Sequence, residues 1–306
     1  MVLKSSSSLH SLKSEAQAIC NPSTRPQKTL ANEVTYSGIG FVSGADATLR
    51  FLPAPPNAGI TFVRSDLEGK PAIPADLSKL LHNDRRTAIG SGSAVVEMTE
   101  HVLAALAGLG IDNCIVEIDA SETPAADGSA LPFMEAIESA GCTLQSEVTK
   151  PIVVRETIRI EDGAASIEIR PSDHAGLRIT YEINYSNPGI GQQEATFDVT
   201  PESFRAEIAA ARTFVLAEEV EILRSMGIGV RQTAKDLLVF AADGSLVDNA
   251  LRYSNECARH KLLDVVGDLA LLGRPVQGEV IARRSGHRHN VALARKIREQ
   301  TESYGG

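Results

Sequence analysis

The ten residues 259–268, RHKLLDVVGD, constrain the fold more than any other stretch of the chain. Leu262, Leu263, Val265 and Val266 call for burial, while His260, Asp264 and Asp268 carry ionisable groups at four-residue steps. An α-helix turns once in about 3.6 residues, so those three positions fall on nearly one face. Something polar must meet that face. Two readings of the ladder stand: His and Asp at i and i+4 can reach one metal ion together, or they form a hydrogen-bonded polar stripe at an interface.

The chain has 306 residues, of which 43% are apolar, enough for two domains with their own cores. A net charge of −9 and the lack of a basic stripe argue against a nucleic-acid partner. A small anionic substrate stays compatible with a locally positive pocket. No apolar run approaches the roughly 20 residues that span a bilayer. The opening MVLKSSSSLHSLKSEAQAIC has neither the apolar segment nor the cleavage site of a secretory signal, so a cytoplasmic protein is expected. Cys20, Cys114, Cys142 and Cys257 are scattered, which fits unpaired thiols in a reducing compartment.

Residues 1–27 are polar and aperiodic and read as a disordered tail, with order expected from about Thr29. A hairpin over 33–51 and a strand over 59–64 lead to a helix over 98–109, with Thr99 as N-cap and Gly110 as the residue after its end. A strand at 114–118, a turn in ETPAADGSALPF and a helix at 132–140 complete a first α+β domain, 28–149. The second domain, 150–300, has strands at 152–154, 158–160, 166–170 and 177–185, helices near 201–210 and 255–272, and a strand at 278–282. Residues 301–306 form a second tail. Each half thus has a sheet and a His-bearing helix that ends in Leu-Gly and runs into a strand, the pattern of a duplication. Residues 213–247 interrupt the second half as an inserted helix, loop and strand.

Two ligands do not make a site. His101 opens the other helix directly after Glu100, and a catalytic zinc ion needs three protein ligands, an open position and a carboxylate beside them to take a proton from water. Glu100 equally suits a helix N-terminus, where the macrodipole favours it. Lys261 next to His260 suits an anionic substrate group or simply solvent. His287 and His289, in SGHRHN, are placed in a Gly-turn after a strand, where an imidazole can act as acid or stabiliser, or merely be exposed. Asp268 can pair with such an imidazole. Cys257, one turn before His260, either competes for the metal or fills core space.

The run from LRYSNECARHKLLDVVGDLALLG to SGHRHNVALAR resembles the signature of the UDP-3-O-acyl-N-acetylglucosamine deacetylases, the zinc amidases of lipid A biosynthesis. So do EHVLAALAGLGIDN, PAADGSALPF and ARTF at 211–214, in the same order, over about residues 29–298. The resemblance implies an α+β fold of two similar sheet-plus-helix domains packed with helices between the sheets. It further implies a β-α-β insert in the second domain that forms a tunnel for an acyl chain. Zinc would be bound by His101, His260 and Asp264, with Glu100 as general base. His287 would be the cationic imidazole that protonates the leaving amine, oriented by Asp268. Thr213 would donate to the oxyanion, Phe214 would pack on the sugar and Lys261 would meet the substrate's anionic part. The implied partner is an acylated UDP-amino-sugar, with transient contact to membrane lipid, and the protein is expected to be a monomer.

Three positions depart from the family pattern. Val42 stands in Gly40-Phe-Val-Ser-Gly44 where a histidine is usual, Ala88 replaces the second of two threonines after an arginine, and GIGVRQTAK replaces a Gly-Gly-Ser run in the insert. Two other functions fit the same residues: a non-catalytic sugar-nucleotide or lipid-binding relative, and an amidase of the same mechanism acting on a different acylated sugar.

Overall fold

The computed structural model describes residues 24–82 and 85–304, so of the tail expected over 1–27 the first 23 residues lie outside the described residues. Order begins before the expected Thr29: the strand Pro26–Leu30 pairs antiparallel with Cys142–Val148. The helices are α1 (Glu100–Gly108), α2 (Leu131–Ala140), the single turn α3 (Pro201–Ser203), α4 (Ala217–Ser225), α5 (Glu256–Ala270) and α6 (His287–Ser303). The last of these carries helix three residues into the stretch expected as a second tail.

Both halves are mixed α+β and repeat one sheet topology. In the first, Val34–Ile39, Asp46–Pro53 and Cys114–Ile118 are successive antiparallel neighbours; Cys114–Ile118 then runs parallel to Ile60–Arg64, which is edged by antiparallel Ala72–Pro74. In the second, Ile158–Asp162, Ala165–Arg170, Val276–Arg283, Leu177–Asn184 and Gln192–Asp198 follow in the same order with the same directions. The central strand of each sheet comes last in the chain and follows the His-bearing helix of its half. The alternation in Asp46–Pro53, which buries Ala47, Leu49 and Phe51, is what a sheet with one covered face requires.

Helices fill the space between the two sheets. One side of α5 packs on Leu177–Asn184 and Gln192–Asp198 and another on α1, while α2 packs on both α1 and Val34–Ile39. This explains the composition of α5, which is buried on its apolar and its charged faces alike. Gly267 sets the approach of α1 to α5: a Cβ there would lie 2.1 Å from the carbonyl oxygen of Glu100. Only a residue without a side chain lets the first turn of α1 reach the polar ladder.

Several local expectations are corrected. Thr99 precedes α1 but makes no side-chain cap, since its hydroxyl donates to the Thr87 carbonyl. Gly110 does follow α1 with φ +70°, while Ile111 N–H closes on the Leu106 carbonyl at 2.9 Å. The helix expected near 201–210 is instead the turn α3 followed by π-wound Phe204–Ile208. That winding brings Phe204 onto Gly108, where a Cβ would meet its ring at 2.3 Å. Close packing outweighs the regular helix. The supposed Gly-turn around His287 is the start of α6, which buries His287, Asn290, Leu293, Ala294 and Ile297 at three- and four-residue spacing.

The insert is a β-α-β unit, with Phe214–Leu216 parallel to Leu238–Phe240 and α4 between them. Its root is held by Arg212 and Glu256, 2.8 Å apart and both buried. The Arg212 guanidinium also donates to Asn249 Oδ1 and the Ala250 carbonyl, so neither charge is left unmatched. No helix among the described residues is long and apolar enough to cross a membrane.

Candidate active site

His101 near the start of α1 and His260 and Asp264 on α5 converge where the two helices cross. One ligand atom from each lies within 4.8 Å of the others, and all three side chains are buried. Asp264 Oδ1 sits 3.7 Å from His101 Nε2 and 3.5 Å from His260 Nε2. It has no hydrogen-bond partner. A buried carboxylate oxygen left unmatched between two imidazole nitrogens is costly unless a cation completes it. The donor set therefore fits a metal ion.

The surroundings support the same protonation state. His260 Nδ1 lies 3.1 Å from the Ala211 carbonyl, which makes Nδ1 the donor and turns the Nε2 lone pair toward Asp264. Burial drives the His260 pKa down to about 3, so the ring is neutral, as a ligand must be. Burial alone would favour neutral Asp264, but the charges of Lys261 and His287 hold it well below the ordinary carboxylate range. Lys261 Nζ is 2.7 Å from Asp264 Oδ2.

Beside these donors stands an acid–base pair. Burial raises the pKa of Glu100 against the pull of His287 and His101. Its Oε2 accepts the Thr87 N–H at 3.0 Å, and Oε1 lies 3.8 Å from His287 Nε2. His287 opens α6, where burial and the helix N-terminus both disfavour a cation. Asp268, Asp264 and Glu100 outweigh that burial and lift the pKa of His287 to about 9, so the ring is charged at neutral pH. Its Nδ1 donates to Asp268 Oδ2 at 2.8 Å, and Nε2 faces Asp264 Oδ2 at 3.8 Å. A proton acceptor and a proton donor thus flank the metal-type cluster.

The remaining sequence-derived residues are placed differently. Thr213 enters two residues after Ala211, with its N–H on the Gly128 carbonyl and its carbonyl on Leu238 N–H. Phe214 opens the insert's first strand and meets Tyr185 and Phe240 edge-on, with ring centroids 5.4 Å and 6.4 Å away. His289 stays outside the cluster: its Nδ1 accepts the Gly286 N–H. Cys257 is a buried core thiol outside the donor set, its pKa pushed up to about 12 by burial.

Sequence reasoning passed over three participants. Thr87 bonds both Glu100 and Asp268, and Asn290 donates to Asp268 Oδ2 at 2.8 Å. Asn290 could have been found from the three-residue step after His287 once α6 was recognised. Buried Glu122 accepts from Val42 N, Ser43 N and Ser43 Oγ, which fixes the hairpin tip in which Val42 departs from the family. That tip is also clipped to the insert: Gly229 N donates to the Phe41 carbonyl, Gln232 Nε2 to Gly40 and Arg231 Nη1 to Gly44. A cavity of about 510 Å³ lies elsewhere, among Leu103, Leu106, Val266 and Leu269 and the C-terminal ends of α1 and α5, and includes none of the donors.

The scaffold and cluster define a class, an α+β enzyme with a metal-type donor set flanked by a carboxylate and an imidazole. Comparison with known proteins narrows it. Residues 27–299 match the family model described as UDP-3-O-acyl N-acetylglycosamine deacetylase. A UDP-3-O-acyl-N-acetylglucosamine deacetylase of Leptospira biflexa is 41% identical over 275 residues, 90% of each chain. One of Brucella melitensis is 40% identical over 265 residues, 86% of this chain and 92% of the relative. The bifunctional enzyme LpxC/FabZ of Chlorobaculum tepidum is 40% identical over 303 residues, and the match spans 65% of that longer protein. The chain belongs to the UDP-3-O-acyl N-acetylglycosamine deacetylase family.

Proposed function

We propose that this protein hydrolyses the N-acetyl group of UDP-3-O-acyl-N-acetylglucosamine to acetate and UDP-3-O-acyl-glucosamine, a step of lipid A biosynthesis, as a zinc enzyme of the cytoplasm. The observation that carries the reading is the unmatched Asp264 Oδ1 between two inward-facing imidazoles, with Glu100 and a charged His287 beside it. Mixed imidazole and carboxylate donors, three in number, are the ligand set of a catalytic zinc site. Zinc bound there supplies a Lewis acid and brings the pKa of water toward about 7.

The chain's own groups do the rest. Glu100 Oε1 takes the proton of the attacking water, since Oε2 is tied to Thr87 N–H. The Thr213 hydroxyl donates to the oxygen that gains charge when the amide carbonyl becomes tetrahedral. His287 Nε2–H then gives its proton to the amide nitrogen, the C–N bond breaks, and acetate and a 2-amino sugar leave. Asp268 keeps the imidazole charged until that step. Phe214 lies against the sugar, Lys261 meets the substrate's anionic part and the insert receives the acyl chain.

Acetate release from UDP-3-O-acyl-N-acetylglucosamine, measured with zinc content by mass spectrometry on the same preparation, tests this. The expected result is turnover with about one zinc per chain, one being the number a single three-donor site holds. Zinc-loaded protein that releases no acetate from this substrate would exclude the assignment.

A further inference from the structure

Thr87 has a relative exposure of 1% and touches both members of the acid–base pair. Its N–H donates to Glu100 Oε2 at 3.0 Å, and its hydroxyl donates to Asp268 Oδ1 and lies 3.4 Å from His287 Nδ1. Its carbonyl accepts from both the N–H and the hydroxyl of Thr99, at 3.1 Å and 3.2 Å, which pins it to the root of α1. Thr87 arrives from the first half of the chain, whereas Asp268 and His287 lie on α5 and α6 of the second.

We propose that Thr87 is a positioning residue for the deacetylation chemistry, its hydroxyl fixing the Asp268 carboxylate so that His287 holds its Nε2–H toward the reacting atoms. The inference rests on the function proposed above. Asp268 Oδ2 is already committed to His287 Nδ1 and Asn290 Nδ2, each at 2.8 Å. With only that oxygen tied, the carboxylate can swing about its own side-chain bond. A donor on Oδ1 removes this freedom and satisfies an oxygen that is otherwise buried without a partner. The same residue's backbone holds Glu100, so base and acid are registered to one point.

The test is a pair of substitutions that separate the hydroxyl from the space it fills. Thr87→Val keeps the volume and removes the donor. It is expected to lower kcat about 10- to 100-fold, the range for losing an outer-shell partner, with KM and zinc content unchanged. Thr87→Ser keeps the donor and is expected to recover most of the rate. A second readout does not need turnover: the downfield imidazole N–H proton of His287, assigned by its absence in His287→Gln, should shift or broaden in Thr87→Val and return in Thr87→Ser. Wild-type kcat and an unmoved resonance in folded Thr87→Val would overturn the proposal, as would a serine variant no better than valine. If wild-type protein releases no acetate, the deacetylase reading fails, while the resonance still decides the positioning role.

Discussion

Glu100→Gln is expected to retain about one zinc per chain and to lose turnover by about 10²- to 10⁴-fold, the contribution of a positioned general base. The substitution keeps size and shape, and a carboxamide oxygen can still accept the Thr87 N–H. What disappears is the basic lone pair of Oε1, 3.8 Å from His287 Nε2. Nothing else in the cluster replaces it. Asp264 is the metal-type donor and held far below the ordinary carboxylate range, and Asp268 is enclosed by Thr87, His287 and Asn290. Rate and zinc content measured together check the prediction; a near-normal rate would remove Glu100 from its role.

His260→Ala should act on the metal rather than on the proton transfers. It removes one of three donors and leaves Asp264 Oδ1 facing only His101. Losing an outer-shell partner of a ligand already costs about 10- to 100-fold in affinity, so losing the ligand should cost more than about 100-fold. Chelator competition against the wild-type protein reads this directly, with circular dichroism as a check that the fold persists. Unchanged zinc stoichiometry and affinity would mean that the donor set is wrong. The two variants are complementary: Glu100→Gln is expected to be loaded and slow, and His260→Ala to be empty.

The sequence made the centre of this arrangement legible because burial and chemistry coincide there. Residues 259–268 could be read as a core helix with a charged face, and the glycine within it, Gly267, is what admits Glu100. His101 could be joined to that helix because it opens the other helix directly after Glu100 and a third ligand was needed, and the strand orders of the two halves agree. Less legible were elements whose signal is weak in one dimension. Helix α6 is dense in charge, so its apolar positions are too sparse to outweigh the reading of SGHRHN as a turn. The short strands Leu80–Leu81, Ala88–Ser91 and Ala94–Glu97 form their own sheet and have little apolar periodicity. Thr87 therefore stood out only as the threonine before Ala88, although its hydroxyl is spent on Asp268. A residue whose carboxylate partner lies 181 positions away has no local pattern to announce it.

Anomalous diffraction at the zinc absorption edge, from crystals of the wild-type protein with its zinc retained, addresses the central claim most directly. The predicted result is a peak within about 2.0–2.2 Å of His101 Nε2, His260 Nε2 and an Asp264 oxygen. Zinc located elsewhere, with these three donors unliganded in zinc-replete crystals, would contradict it.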